Sequence, residues 1–200
     1  MGKKKIIGLC LAVGLMVGVV GGSLAWFTDS DTVTNSFSTA GENDEGDKNG
    51  IIIDENWNED EAKNILPGTT VNKDVRVKNH ATYDQLIRVK FNVVDKSTGK
   101  KLDLDHVKLN FVNNYDENWM KNVEGNNTWY YYKNIVNAGD LTEYLLDSVK
   151  LLGTAGEEYK NGAFDVVVDA EGIQATNGAV SDAWKDAPDE IKALGGTLEK

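Results

Sequence analysis

The chain has 200 residues, with 32 acids against 21 lysines and arginines, two histidines and a single cysteine, for a formal net charge of −11. That excess of negative charge disfavours nucleic acid and anionic membrane surfaces as partners, because both are polyanions. One cysteine, Cys10, cannot form a disulfide within the chain, so stability has to come from packing or from another covalent or oligomeric device.

The first residues read as an export signal. Lys3, Lys4 and Lys5 form a basic patch, residues 6–20 carry no charge, and Gly21-Gly22 breaks the apolar helix before Ser23-Leu24-Ala25. Small residues at Ser23 and Ala25 place signal peptidase cleavage between Ala25 and Trp26. The rival reading is an uncleaved anchor, since residues 6–24 approach the roughly 20 apolar residues that a spanning helix needs. The double glycine and the Ser-Leu-Ala site favour cleavage, so a membrane is expected as a partner only through the uncleaved signal. Removal of residues 1–25 takes away Cys10, three lysines and no acid, which leaves the remainder more negative still.

Residues 26–37 alternate as a half-apolar strand. Phe27, Val33 and Phe37 share a face with Asp29 and Asp31, so the apolar register is imperfect at the start, and Val33, Asn35 and Phe37 form the better docking portion. Such a strand either folds back on its own domain or passes to a neighbour, where it gains ladder hydrogen bonds and buries alternate side chains. Residues 40–50 are acidic and glycine-punctuated and read as a flexible linker. The Asn43, Glu45 and Asp47 spacing has some likeness to a calcium loop, but the glutamate required at its twelfth position is missing.

The body is built on a period of two. Val71, Lys73, Val75 and Val77 share one face; Ile87, Val89, Phe91 and Val93 another; then Val107, Leu109 and Phe111; residues 128–136; residues 142–152; and Phe164, Val166 and Val168. Pro67-Gly68, Thr98-Gly99, Gly125-Asn126-Asn127 and Ala138-Gly139 supply turns. Six or more short strands without long helices predict a mainly β fold, an antiparallel jelly roll or β-sandwich with short peripheral helices, preceded by the signal helix. Helices are expected near residues 116–122 and at residues 188–194, where Pro188 starts and Gly195 stops. The organisation is therefore a signal peptide (1–25), an N-terminal strand with its linker (26–50) and one β domain (51–200).

The chemistry of catalysis is poorly represented. His80 and His106 are not part of a His-Glu-x-x-His helix, no cysteine survives cleavage, and neither a nucleophile elbow nor a glycine-rich phosphate loop occurs. No catalytic residue, metal ligand or cofactor is assigned, and an enzyme is not expected. The run Trp129-Tyr130-Tyr131-Tyr132 reads as core and edge cover rather than as a ligand platform, since alternate rings face opposite sides. Lys73 on an apolar face is explained by snorkelling at a strand edge or, alternatively, as a candidate isopeptide lysine.

Several segments together carry a resemblance. Residues 21–29 resemble the cleavage region of proteins processed by the SipW signal peptidase. Residues 65–79, 85–91, 129–133 and 139–142, and the stretch from Phe164 to Trp184, look like the TasA/camelysin (CalY) family, most of all its BsaA-type biofilm matrix proteins of clostridia. The resemblance implies a jelly-roll domain, secretion to the extracellular matrix or cell surface of a Gram-positive bacterium, and a fibre subunit whose N-terminal strand completes the next copy. Its implied partners are further copies of itself, a SipW-type signal peptidase and other matrix proteins. Family members also carry a metallo-endopeptidase label, which is one alternative reading; a monomeric surface adhesin using the aromatic run is another.

Overall fold

The computed structural model describes residues 28–36, 50–57, 59–63, 65–102, 104–155 and 164–196. In chain order they form β1 (Thr28–Ser36), β2 (Ile51–Trp57), α1 (Glu59–Ala62), β3 (Thr70–Asn79), β4 (Gln85–Asp95), β5 (Val107–Phe111), α2 (Tyr115–Asn118), β6 (Trp119–Glu124), β7 (Asn127–Tyr132), β8 (Leu146–Leu151), β9 (Phe164–Gln174), α3 (Ala179–Ala183) and α4 (Asp189–Leu194). One sheet runs β1-β9-β4-β7-β6 and the other β2-β3-β8-β5, with every neighbour antiparallel. This is the expected mainly β sandwich with short helices. The expected signal helix and linker lie outside the described residues, apart from Gly50. Among the described residues no helix is long and apolar enough to cross a membrane.

Alternation builds the core. Val71, Val75 and Val77 of β3 face Val89, Phe91 and Val93 of β4 and Val166 and Val168 of β9 across a continuous buried cluster. Phe91, Phe111, Tyr115 and Tyr130 pack their rings at centroid distances of 4.8–6.1 Å against this core. A second cluster lies on the outer side of the five-stranded sheet, where α3 and α4 lay Val180, Trp184 and Ile191 over Leu86, Trp129, Tyr131 and Ile173. β4 and β9 are therefore buried on both faces, which explains why their apolar content exceeds simple alternation.

Four expectations require correction. The helix expected at 116–122 stops at Asn118, because Trp119 begins a hairpin with β7 around Gly125, whose φ of 59° suits glycine. The strand expected over 142–152 spans only Leu146–Leu151. Before it, Thr142 and Leu145 donate their amides to Val77 O and Val75 O from irregular backbone. The strand expected over 128–136 ends at Tyr132, with an isolated bridge from Val136 to Gln85. Lys73 does not snorkel: it is fully buried within the core face of β3. The helix expected at 188–194 is present as α4, with Pro188 at its N-terminal cap and Gly195 at its end.

Candidate functional site at the β1 edge

β1 forms one edge of the five-stranded sheet. It pairs along its whole length with β9, from Thr28 opposite Ile173 to Ser36 opposite Asp165. Its other flank faces β2, the edge strand of the opposite sheet, so β1 fills a cleft whose rims are β9 and β2. Val33, directly opposite Val168, packs against the main core.

The cleft has a polar fixture on each side of Val33. On the outer side, Thr32 Oγ1 donates to Asp169 Oδ1 at 3.0 Å, and Asp169 also receives Asn92 Nδ2 at 3.2 Å and faces Lys90 Nζ at 3.6 Å. On the inner side, Asp31 Oδ2 accepts the backbone amide of Ile53 at 3.0 Å. The reason that amide is available lies one strand further in. Val77, opposite Ile53, donates its N–H to Thr142 Oγ1 at 3.0 Å and its carbonyl accepts Thr142 N at 2.8 Å, both on the far side of β3. The Ile53–Val77 pair is thus a non-hydrogen-bonded one, which leaves the Ile53 N–H pointing outward. An inward aspartate that looked misplaced in the apolar pattern satisfies an edge donor.

Close approach fixes one end of the cleft. Gly172 lies opposite Asp29, and a Cβ at that position would stand 2.7 Å from Ile51 Cγ2 and 2.9 Å from Gln85 Oε1. Only glycine lets β9 and β2 come this near.

Lys73 lies one strand behind β2. Its Nζ meets Glu55 Oε2 at 2.8 Å and sits 5.2 Å from the centre of the Trp57 ring. Burial pulls its ammonium below the usual lysine range, and Glu55 only partly counters that pull. Such an amine is closer to its nucleophilic form than a solvated lysine.

Of the other residues singled out by sequence, Ala25, Trp26, Phe27 and Phe37 lie outside the described residues. Asn35 is placed in β1 opposite Val166. Trp129 and Tyr131 are covered by α3 and α4, while Tyr130 and Tyr132 face the core, so the aromatic run offers no open ring. Sequence reading passed over Arg88, whose guanidinium lies 4.0 Å from Trp129 and 4.6 Å from Trp184 and pairs with Glu171 at 2.6 Å. Its strand position reads as a polar face, and only the covering helices make it a half-buried hub.

A metal does not fit the histidines. His80 follows β3 at one end, whereas His106 accepts Leu152 N near the strand's other end, where Thr70 pairs with Lys150. A ten-residue strand separates them by roughly 30 Å. Among the described residues no group of three or more His, Cys, Asp or Glu side chains could hold an ion.

Residues 2–173 match the model of a family described as camelysin metallo-endopeptidase. No curated protein and no solved structure matches the chain.

Proposed function

The chain belongs to the camelysin metallo-endopeptidase family, and from that membership and the β1 edge we propose that it is a secreted structural subunit of extracellular matrix fibres, of the BsaA type. The observation that carries the proposal is the mode of attachment of β1. Among the described residues its hold consists of a backbone ladder, one half-buried valine and two polar fixtures, all of which a second copy could supply identically. Residues 37–49 connect it to β2 and can span at most roughly 45 Å when extended, enough for the strand to seat in a neighbour. A contact of this kind is heterologous and does not close, so it propagates as a filament. Cleavage after Ala25 would free the strand to move.

Lys73 is the candidate for a covalent link in such a fibre. Its Nζ would attack the side-chain carboxamide of a donor-strand asparagine, forming a new C–N bond while ammonia leaves, and Glu55 would carry the proton from amine to leaving group. An aspartate acceptor would release water instead. The link should survive boiling in detergent, with an intact mass reduced by one ammonia or one water per bond; only unlinked monomer would refute it.

Electron microscopy of the mature chain tests the fibre. Filaments are expected, and deletion of residues 26–38 should abolish them. Dispersed monomers from the intact mature chain at several pH values would overturn the reading. The family's own description supports a second one: chelator-sensitive cleavage of casein by the purified chain would establish a metallo-endopeptidase.

A further inference from the structure

We propose that the two ends of the sandwich meet head to tail between copies, the Ile51 end of one chain seating its acids on the Lys100-Lys101 turn at the Ser36 end of the next. This rests on the strand-exchange reading above. Direction comes from the path of the chain. Ile51 lies against Gly172, which is opposite Asp29, and the Ile53 amide bonds Asp31, so β1 and β2 run side by side in the same direction. Ser36 therefore stands at the far end of the sandwich from Ile51, roughly 23 Å away over seven residues of strand. When β1 fills its own cleft, residues 37–49 must run back along that whole length. They have no such return to make when β1 fills the cleft of a copy stacked with its Ser36 end on this Ile51 end.

The two ends carry opposite charge and exposed apolar groups to match. At the Ile51 end, Asp84 precedes β4, and Asp140 lies beside Asn79, whose amide donates to Asp140 O at 2.9 Å. Both acids are exposed and fixed in place: Asp84 Oδ1 accepts Ala138 N at 3.2 Å, and Asp140 Oδ2 accepts Asn137 Nδ2 at 2.9 Å. Ile135 and Leu141 are exposed on the same segment, next to the Val136–Gln85 and Lys78–Leu141 bridges. Lys133, at the start of that segment, donates to Asp116 O at 2.6 Å. At the Ser36 end, Lys100 and Lys101 are exposed, and Lys101 closes the row that runs Ser36, Asp165, Val94, Lys101 across the strands. Asp95 of the same turn is held by Ser97 and Thr98, and Asp60 by Lys63. Asp105 follows Leu104, so the basic patch is this turn and not the whole end. Leu66, 71% exposed, and Leu104 precede β3 and β5 there. Like ends would oppose acid to acid or lysine to lysine, whereas unlike ends match. Such a contact leaves one free end of each kind at every stage, while reciprocal exchange would close a dimer. It therefore makes exchange propagate.

Charge reversal in the mature chain tests the contact, with polymer sedimented by ultracentrifugation as the readout. Lys100→Glu with Lys101→Glu should raise the concentration needed for polymer roughly tenfold, as two exposed ion pairs turn to repulsion. Adding Asp84→Lys and Asp140→Lys to the same chain makes the charges opposite again at every junction and should restore growth, which a folding defect would not allow. Asp84→Asn with Asp140→Asn keeps the loop acceptors, removes only charge and should weaken growth several-fold. If the lysine reversal and the asparagine pair both leave growth unchanged, or the quadruple variant grows no better than the lysine reversal, the end contact is refuted while strand exchange stands. Rescue of the lysine reversal by lysines at Glu42, Asp44, Glu45 and Asp47 would assign the turn to the linker and refute the end contact as well. If the wild-type mature chain forms no polymer, strand exchange itself fails, and the end contact with it.

Discussion

The five-stranded sheet has two edges, and they are held by different physics. At the β6 edge, Trp119 is fully buried, packs on Tyr132 at a centroid distance of 5.0 Å and donates its indole N–H to Glu143 O at 3.2 Å. A tight turn at Gly125 joins that strand to its partner, and Asn122 Nδ2 donates to Asp186 O, sewing the edge to the segment before α4. At the β1 edge, the hold among the described side chains is a ladder plus Val33, Asp31 and Thr32, and the connection to the body is residues 37–49. The first edge is anchored by a side chain that nothing else can replace. The second is anchored by bonds that any identical cleft can remake. An edge strand suited to exchange has a backbone ladder along its whole length and a long connection, and β1 has both.

The contrast breaks most readily at Trp119. Trp119→Ala should cost about 3–5 kcal/mol, because a large buried ring leaves a cavity, whereas Val33→Ala should cost about 1 kcal/mol, since Val33 is only half buried. Urea denaturation of the mature monomer measures both, and equal losses would erase the distinction between the edges. Gly172→Ala comes next, at about 1–3 kcal/mol, since its methyl would press on Ile51 and force β9 and β2 apart. That substitution should also weaken β1 binding, visible as faster hydrogen exchange in β1 while β6 is unchanged.

The smallest expected effect concerns the charges behind each edge. Arg88, near β6, lies close to Glu171, Glu124 and Tyr131 and is flanked by two indoles; Lys73, behind β2, has Glu55 and the Trp57 ring. Because burial lowers the folded pKa of Lys73 below its unfolded 10.5, the unfolded chain binds more protons between those two values. Its contribution to stability therefore rises with pH through that window and is flat below it. Thermal denaturation from neutral pH to pH near 10 should show a rise in wild type relative to Lys73→Met. Parallel curves for the two would remove the burial penalty assigned to Lys73.

Legibility followed the reach of each signal. β3, β4, β5 and β9 were visible because their alternation is set by a single buried face over several residues. β2 was not expected: Ile51 and Ile53 alternate, but the acids and asparagines after them read as loop, and only pairing with β3 fixes Ile51–Trp57 as a strand. β6 was mistaken for helix because Asp116 and Glu117 look like a helical first turn, which they are, for four residues only. Asp31 looked like a flaw for a related reason. Its partner is a backbone amide of a distant strand, and amides carry no residue identity in a sequence.

What the sequence by itself determined is the class of fold, the family and the presence of an apolar, alternating N-terminal strand, because periodicity and composition are local properties of the chain. Tertiary structure alone decided that this strand occupies an edge between two sheets, that Lys73 is buried against Glu55, and that the aromatic run is covered on both faces. Those facts depend on which edges meet across the sandwich. Such meetings are fixed by long-range packing, where burial of the whole core outweighs the preference of any one segment.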